Sequence, residues 1–378
     1  MIIGIEAQRI FRKDKHGMDF VALEFIRSLQ RKNDSNQYLV FVAPGEDRCL
    51  EESRNVHIIE ISCPTYPLWE QVALPIAVRK YKPDMLHCTS NTAPVYCPVP
   101  LILTLHDIIY LTQKQKKGMS LYQQLGWHYR RYIVPRILGK CRAIITVSFT
   151  ERVNIMKRFP ELTNRLHVVY NGYSDCYFPI SNYSQITRRY VLDDTYLLFL
   201  GNTDPRKNTI GVLKAYADYL RRSSRKLKLV VTGLDESLIS RIVAQLHADG
   251  CARQIVSTGY VPGEDFPALY NGAYAFLYPS FQEGFGIPIL ESMACGTPVI
   301  TSNCSAMPEI AGDGGILVRP ENPVEIANAL LKLEADTEYY KQQVGYGLKR
   351  VKNYSWEKTA YGYLEIYHEL YATDRQDA

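Results

Sequence analysis

A chain of 378 residues is too long for one core of ordinary size, and 46% apolar with 22% charged residues are globular values. A formal net charge of +5 is too small to imply nucleic acid by itself. The nine cysteines include no C-x-x-C pair, which argues for free thiols in a reducing cytosol over a disulfide frame or zinc site, and no apolar run approaches the roughly 20 residues of a membrane span.

The opening MIIGIEAQRI reaches Glu6 after a few apolar positions and reads as a first strand, not a signal peptide. Short apolar runs at 2–5, 38–42, 56–61, 85–87, 101–105 and 143–147 alternate with helical patterns at 18–29, 68–81, 120–138 and 151–159. Strand alternating with helix predicts a mostly parallel sheet covered on both faces. Residues 171–194 are rich in Asn, Ser, Tyr and Gly, have no clear period and read as a connection between domains. A second strand series follows at 196–200, 229–232, 255–258, 275–278 and 299–301, and an amphipathic helix is expected at 355–371. The expectation is α/β, with two Rossmann-like, doubly wound domains at 1–175 and 176–354 facing a cleft, and ligands outside the strands' carboxyl ends.

The stretch FQEGFGIPILESMACGTPVI, residues 281–300, carries the strongest chemistry. Gly284 and Gly286 break the backbone after an apolar run, and Pro288 suits the first turn of a helix spanning 287–295. Such a loop points backbone N–H groups and a positive helix end at an anion. Two carboxylates frame it, Glu283 in the loop and Glu291 about one turn into the helix. Beside an anion site, carboxylates suit the hydroxyls of a sugar or ribose. An ordinary strand-to-helix turn with two solvated glutamates is the bland alternative.

FLGNTDPRKN places Arg206 and Lys207 after another strand, where cations would neutralise a diphosphate leaving group. A merely basic helix start is disfavoured there by the helix dipole. The loop after the first strand is basic, with Arg9, Arg12, Lys13 and Lys15, and ends at Gly17, either a backbone donor to phosphate or a simple helix-start glycine. His106 and Asp107 end a further strand, where a histidine is usually structural.

Residues 108–150 contain no Asp or Glu. They carry Lys114, Lys116, Lys117, Arg130, Arg131, Arg136, Lys140 and Arg142, interleaved with Leu121, Tyr122, Leu125, Trp127, Tyr129, Tyr132 and Ile133. This pattern suits an anionic membrane surface, against a surface helix whose aromatic side faces its own core. No RNA-binding signature accompanies the charge, so nucleic acid is not expected.

Glu283 and Glu291, with seven residues between them inside EGFGIPILE and followed by ACGTPVITS, resemble the E-x7-E signature of family-4 glycosyltransferases. The resemblance extends through FLGNTDPRKN, STGYVPGEDFPALYNGAYAFLYPS and MPEIAGDGGILVRPENPVEIANAL, covering the C-terminal half almost without a gap and the N-terminal half more loosely. It implies the GT-B fold, a retaining and metal-independent reaction with no cofactor, and a final helix, 355–378, returning to the first domain. It also implies roles. Lys207, with Arg206, faces the diphosphate, and Glu283 holds the donor sugar. Glu291 holds the ribose, and His106 lies beside the transferred sugar. Gly17, Gly284, Phe285, Gly286 and Ile287 form the donor loops, and backbone near Val261 in GYVP meets the nucleobase. The chain departs from the family twice: His16 replaces the first of two glycines, and Asn202 stands where many members have Arg.

The expected partners are a nucleotide-sugar donor, GDP-mannose ahead of a UDP-sugar, and a glycan acceptor, which a lipid-linked form would suit. The expected location is cytoplasmic, at the inner face of the membrane where the basic segment docks. A nicotinamide dehydrogenase is disfavoured because residues 5–17 lack G-x-G-x-x-G. A GT-B sugar-nucleotide epimerase or hydrolase and a catalytically silent nucleotide-sugar-binding subunit stay open.

Overall fold

The computed structural model of the chain describes all residues except Asn33, 113–120, Val191, 193–194, Ala248 and 377–378. The chain divides into two units, Met1–Gly172 with Trp356–Ala378, and Tyr173–Ser355.

Among the described residues, the first unit builds a seven-stranded parallel sheet. Its strands are β1 (Ile2–Glu6), β2 (Gln37–Val42), β3 (Val56–Glu60), β4 (Met85–Cys88), β5 (Leu101–Thr104), β6 (Ala143–Thr146) and β7 (Leu166–Val168), ordered β3-β2-β1-β4-β5-β6-β7. The second unit has six parallel strands, β8 (Tyr196–Leu200), β9 (Leu229–Thr232), β10 (Ile255–Gly259), β11 (Ala273–Tyr278), β12 (Val299–Ser302) and β13 (Gly315–Val318), ordered β10-β9-β8-β11-β12-β13. Strands such as LVVT of β9 and VITS of β12 are buried throughout because helices cover both sheet faces.

Strand order reverses between β1 and β4 in one unit and between β8 and β11 in the other. Connections leave opposite sheet faces there, so each sheet has a topological switch point at the carboxyl ends of those strands. In the second unit the loops after those strands carry Lys207 and Glu283.

Helix Gly17–Lys32 packs on one face of the first sheet, and the last helix, Trp356–Gln376, closes the same core. Tyr363 and Tyr367 are buried among Phe25, Ile26 and Leu29. Buried His87 joins Tyr367 Oη at 2.6 Å and Thr104 Oγ1 at 2.7 Å. Burial pushes its pKa down to about 3, so it is neutral and links the last helix to β4 and β5.

The opposite face is covered by helix Leu121–Leu138 and by a helical segment spanning Tyr66–Leu68, a π turn at Trp69–Ala73, and Leu74–Tyr81. The π turn precedes Pro75, which has no N–H to bond back along the helix, and the Leu74 N–H reaches Trp69 O.

Parts of the expected connection at 171–194 are hydrogen-bonded onto the second unit. Ile180 N–H donates to Asn271 Oδ1 at 2.8 Å, Asn271 Nδ2 donates to Phe178 O at 3.0 Å, and Tyr190 Oη donates to Asp265. Helix Ser184–Thr187 lies inside the stretch. Its polar composition marks a segment hydrogen-bonded onto the second unit.

Candidate active site

Asp204 begins the site in the second unit. Its Oδ1 caps the short turn Pro205–Lys207 by accepting from Arg206 N–H at 3.0 Å, while Pro205 supplies the fixed φ of a first helical position. Asn202 Oδ1 accepts from Asp204 N–H at 2.8 Å, so Asn202 shapes the turn. Asn208 adopts a left-handed φ of 60° and donates through Nδ2 to Pro279 O at 2.9 Å and Pro320 O at 2.7 Å. Phe281 N–H donates to Arg206 O at 2.7 Å. These bonds stitch the loop after β8 to the loop after β11.

Lys207 Nζ thereby lies 2.7 Å from Glu283 Oε1 and 3.3 Å from Tyr278 Oη. The Tyr278 hydroxyl accepts from the lysine and is hydrogen-bonded to Glu283, and burial with the Glu283 charge raises its pKa well above the ordinary tyrosine value. It therefore stays neutral and shares the Lys207–Glu283 pair. Ser305 Oγ accepts from Glu283 N–H at 3.1 Å and donates to Glu283 O at 2.7 Å, fixing the carboxylate's backbone. Arg206 turns its guanidinium onto Asp204, with Nε at 3.0 Å and Nη2 at 2.8 Å. The two cations each hold a carboxylate.

Gly286 has φ of 109°, where a side chain is strained, and opens helix Ile287–Ala294. Pro288 has no N–H, and Ile289 N–H is used by Gly286 O at 3.0 Å. Phe285 is buried with its ring edge-on to Tyr354. Glu291, on the same helix, accepts from Tyr270 Oη at 3.0 Å and is also hydrogen-bonded by Tyr177. Burial outweighs those bonds and raises its pKa to about 7. The Val261 side chain lies in the core after β10.

His106 and Gly17 belong to the first unit. His106 is buried at the end of β5, with Nε2 2.8 Å from Thr89 O. A carbonyl only accepts, so Nε2 carries the proton and Nδ1 the lone pair, and burial keeps the ring neutral by lowering its pKa. Gly17 opens its helix, and a Cβ built there meets nothing within 4 Å, so the protein itself imposes no steric demand for glycine. Asp19, in the first turn, opposes the His106 shift electrostatically, a smaller effect than burial.

The sequence reading did not anticipate the knot at Glu70. This fully buried carboxylate accepts from Tyr66 Oη at 2.6 Å, Gln71 Nε2 at 2.8 Å, Thr92 Oγ1 and Tyr129 Oη. Both its oxygens are doubly satisfied, which suits a structural tie. Tyr129 and Ile133 therefore face inward, while Leu125 and Tyr132 are exposed. Lys114, Lys116 and Lys117 lie outside the described residues, as do the side chains of Leu121 and Tyr122.

Among the described residues no cluster of three or more His, Cys, Asp or Glu side chains could hold a metal ion, and no helix is long and apolar enough to cross a membrane.

The family described as Glycosyl transferases group 1 matches residues 186–350, and that described as Glycosyltransferase Family 4 matches residues 16–175. O-antigen chain mannosyltransferase B of Escherichia coli is 29% identical over 382 residues, covering 97% of this chain and 91% of that protein. An uncharacterized glycosyltransferase of Methanocaldococcus jannaschii is 30% identical over 310 residues, covering 77% of this chain and 76% of that protein. In structure, sucrose-phosphate synthase from Thermosynechococcus elongatus superposes with a TM-score of 0.75 at 18% identity, covering 99% of this chain and 100% of that one. Two doubly wound parallel sheets, a lysine–glutamate pair at a topological switch point and these matches agree: the chain belongs to the family-4 glycosyltransferases of the GT-B fold.

Proposed function

We propose that this chain moves a hexosyl unit from a nucleoside diphosphate sugar to a hydroxyl of a growing cell-surface polysaccharide, retaining the anomeric configuration and using no metal ion. Mannose from GDP-mannose is the proposed donor, in keeping with the mannosyltransferase name of the relative that spans almost the whole chain. The Lys207–Glu283 contact at the β8/β11 switch carries the reading.

As the C1–O bond to the diphosphate lengthens, the sugar gains oxocarbenium character and the leaving phosphate gains charge. Lys207 meets that charge, helped by Arg206 and the N–H groups around Gly286. Glu283, held by Ser305 and Tyr278, accepts from hydroxyls of the donor sugar. Glu291 accepts from the ribose hydroxyls. Backbone near Val261 meets the base, Gly17 offers an N–H to the diphosphate, and His106 stands by the transferred sugar. The acceptor oxygen then bonds to C1 with the configuration retained, and its hydroxyl proton passes to the departing diphosphate. The acceptor is lipid-linked in this reading, with the basic segment 108–150 against an anionic membrane.

A thermal-shift panel of nucleotides and nucleotide sugars tests the donor, since a ligand at 100 times its Kd stabilises by about 2.7 kcal/mol. GDP-mannose should shift the transition most. Nucleotide release should require acceptor and persist in EDTA. Acceptor-independent release would favour a hydrolase or epimerase, and loss in EDTA restored by Mg²⁺ or Mn²⁺ would place the enzyme in another transferase class.

A further inference from the structure

Tyr278 is the last residue of β11, and its ring packs as part of an apolar core. It stacks on Phe276, two positions back on the same face of the strand, with ring centroids 5.7 Å apart. The ring's Cε1 lies 3.7 Å from where a Cβ on Gly286 would stand, and the residue is only 5% exposed. A phenylalanine ring would make the same packing contacts. The hydroxyl therefore has to be accounted for by its bonds, because a buried hydroxyl without partners is destabilising.

Those bonds close a triangle. Lys207 Nζ lies 2.7 Å from Glu283 Oε1 and 3.3 Å from Tyr278 Oη, and Tyr278 is hydrogen-bonded to Glu283. An ammonium only donates and a carboxylate only accepts. Tyr278 Oη therefore accepts from Lys207 and gives its single proton to Glu283. Were the lysine held by Glu283 alone, its two other N–H bonds would sweep a cone about the line from Nζ to Oε1. The second acceptor stops that rotation. With two of three tetrahedral directions occupied, the third N–H has one direction left. The backbone beneath is equally fixed. Lys207 N–H donates to Asp204 O at 2.9 Å, and Asn208 Nδ2 is tied to Pro279 O and Pro320 O.

A lysine has a flexible four-carbon stem, so its ammonium is aimed only where other groups aim it. A donor aimed before the reaction needs no reorganisation when charge appears. In the reaction proposed above, the electron pair of the breaking C1–O bond stays on the leaving phosphate oxygen. The nucleoside diphosphate thus develops a charge there that the intact donor lacks.

We propose that Tyr278 is a positioning residue for the leaving group: by accepting from Lys207 while donating to Glu283, its hydroxyl directs the third Lys207 N–H at the terminal phosphate of the nucleoside diphosphate. The inference rests on the Lys207 reading above and extends it to a residue that acts through the lysine. Tyr278 is not the proton donor to that phosphate. Its proton is held by Glu283, and burial with the Glu283 charge raises its pKa well above the ordinary tyrosine value, which makes it a poor acid.

The test is calorimetric titration of the full chain with GDP, GMP and GDP-mannose, or with the uridine set where that binds the parent more tightly. Tyr278→Phe should weaken the diphosphate about tenfold, the scale of one hydrogen bond to a charged group. The monophosphate, which has no terminal phosphate at that place, should bind unchanged, and the nucleotide sugar should lose less than the diphosphate. Lys207→Ala should weaken the diphosphate at least as much. Adding Tyr278→Phe to Lys207→Ala should have no further effect, because a hydroxyl that acts through the lysine then has nothing to aim. Losses that multiply in the double variant overturn the inference. Equal weakening of diphosphate and monophosphate also overturns it, since the hydroxyl would then only shape the loop. A loss confined to the nucleotide sugar overturns it as well, since the hydroxyl would then serve Glu283 alone. If Lys207→Ala weakens the diphosphate and Tyr278→Phe does not, this inference falls and the Lys207 reading stands. If neither variant changes diphosphate affinity, both fall.

Discussion

Lys207 and Glu283 lie 76 positions apart and meet at 2.7 Å. In this state the lysine's charge is held by a carboxylate; in the proposed reaction it serves a diphosphate. The Tyr278 hydroxyl is hydrogen-bonded to both partners. Lys207→Ala should lower turnover at least ~100-fold, the scale for losing one charge-stabilising donor, with the fold intact. Near-normal turnover would remove Lys207 from the mechanism. Glu291 predicts a pH effect. Its pKa is raised from 4.5 to about 7 by burial, so the folded state holds a proton that the unfolded chain releases above 4.5. The second unit's stability should therefore fall as pH rises from 4.5 to about 7. Ribose hydroxyls bond more strongly to the ionised form, so nucleotide affinity should rise over the same window. Titrating nucleotide binding against pH checks this, and Glu291→Gln should flatten the curve. Glu283, Glu291 and Lys207 were legible in the sequence because each stands in a local motif. Tyr278, Ser305 and Tyr270 were not, because each acts through a bond to a residue distant in sequence. Asp204 was legible in principle, as an Asp-Pro turn start.

The glycine loop was read correctly as strand, loop and helix, with its helix ending one residue earlier than expected, at Ala294. Its geometry depends on Gly286. A Cβ there would sit 3.1 Å from Ile289 Cδ1 at a φ of 109°. Gly286→Ala should cost about 1–3 kcal/mol of local strain. The expected result is a lowered melting temperature and a larger loss of nucleotide affinity, because the donors around Ile287 lose their aim. Unchanged affinity would place the anion site elsewhere. The long apolar runs were legible as strands, whereas β7 and β13 were not. They lie at sheet edges, are three and four residues long, and are partly exposed, so neither shows a continuous apolar run. The π turn at Trp69–Ala73 was equally hidden, since period alone reads 68–81 as one helix.

At the scale of the whole molecule, the chain leaves its first unit at Gly172 and re-enters it at Trp356. Amphipathicity marked the last helix, but its partner came from family resemblance, because periodicity does not say which core a helix covers. The structure makes the dependence explicit. Ala360, Tyr363, Leu364, Ile366 and Tyr367 are buried among side chains of helix Gly17–Lys32 and β1. At about 1.5–3 kcal/mol for each large apolar side chain, this burial is comparable with the whole stability of an ordinary domain, about 5–15 kcal/mol. Ending the chain after Ser355 would also deprive buried His87 of its Tyr367 partner. The first unit should then fail to fold. The second unit keeps both its cores and the proposed donor-site residues from Lys207 to Glu291. A truncated chain should therefore still show a nucleotide-dependent thermal shift while losing transfer to acceptor and exposing its first unit to limited proteolysis. Loss of the nucleotide shift would mean that the donor site needs the first unit to form. Retained transfer would mean that the last helix is dispensable to the core it fills.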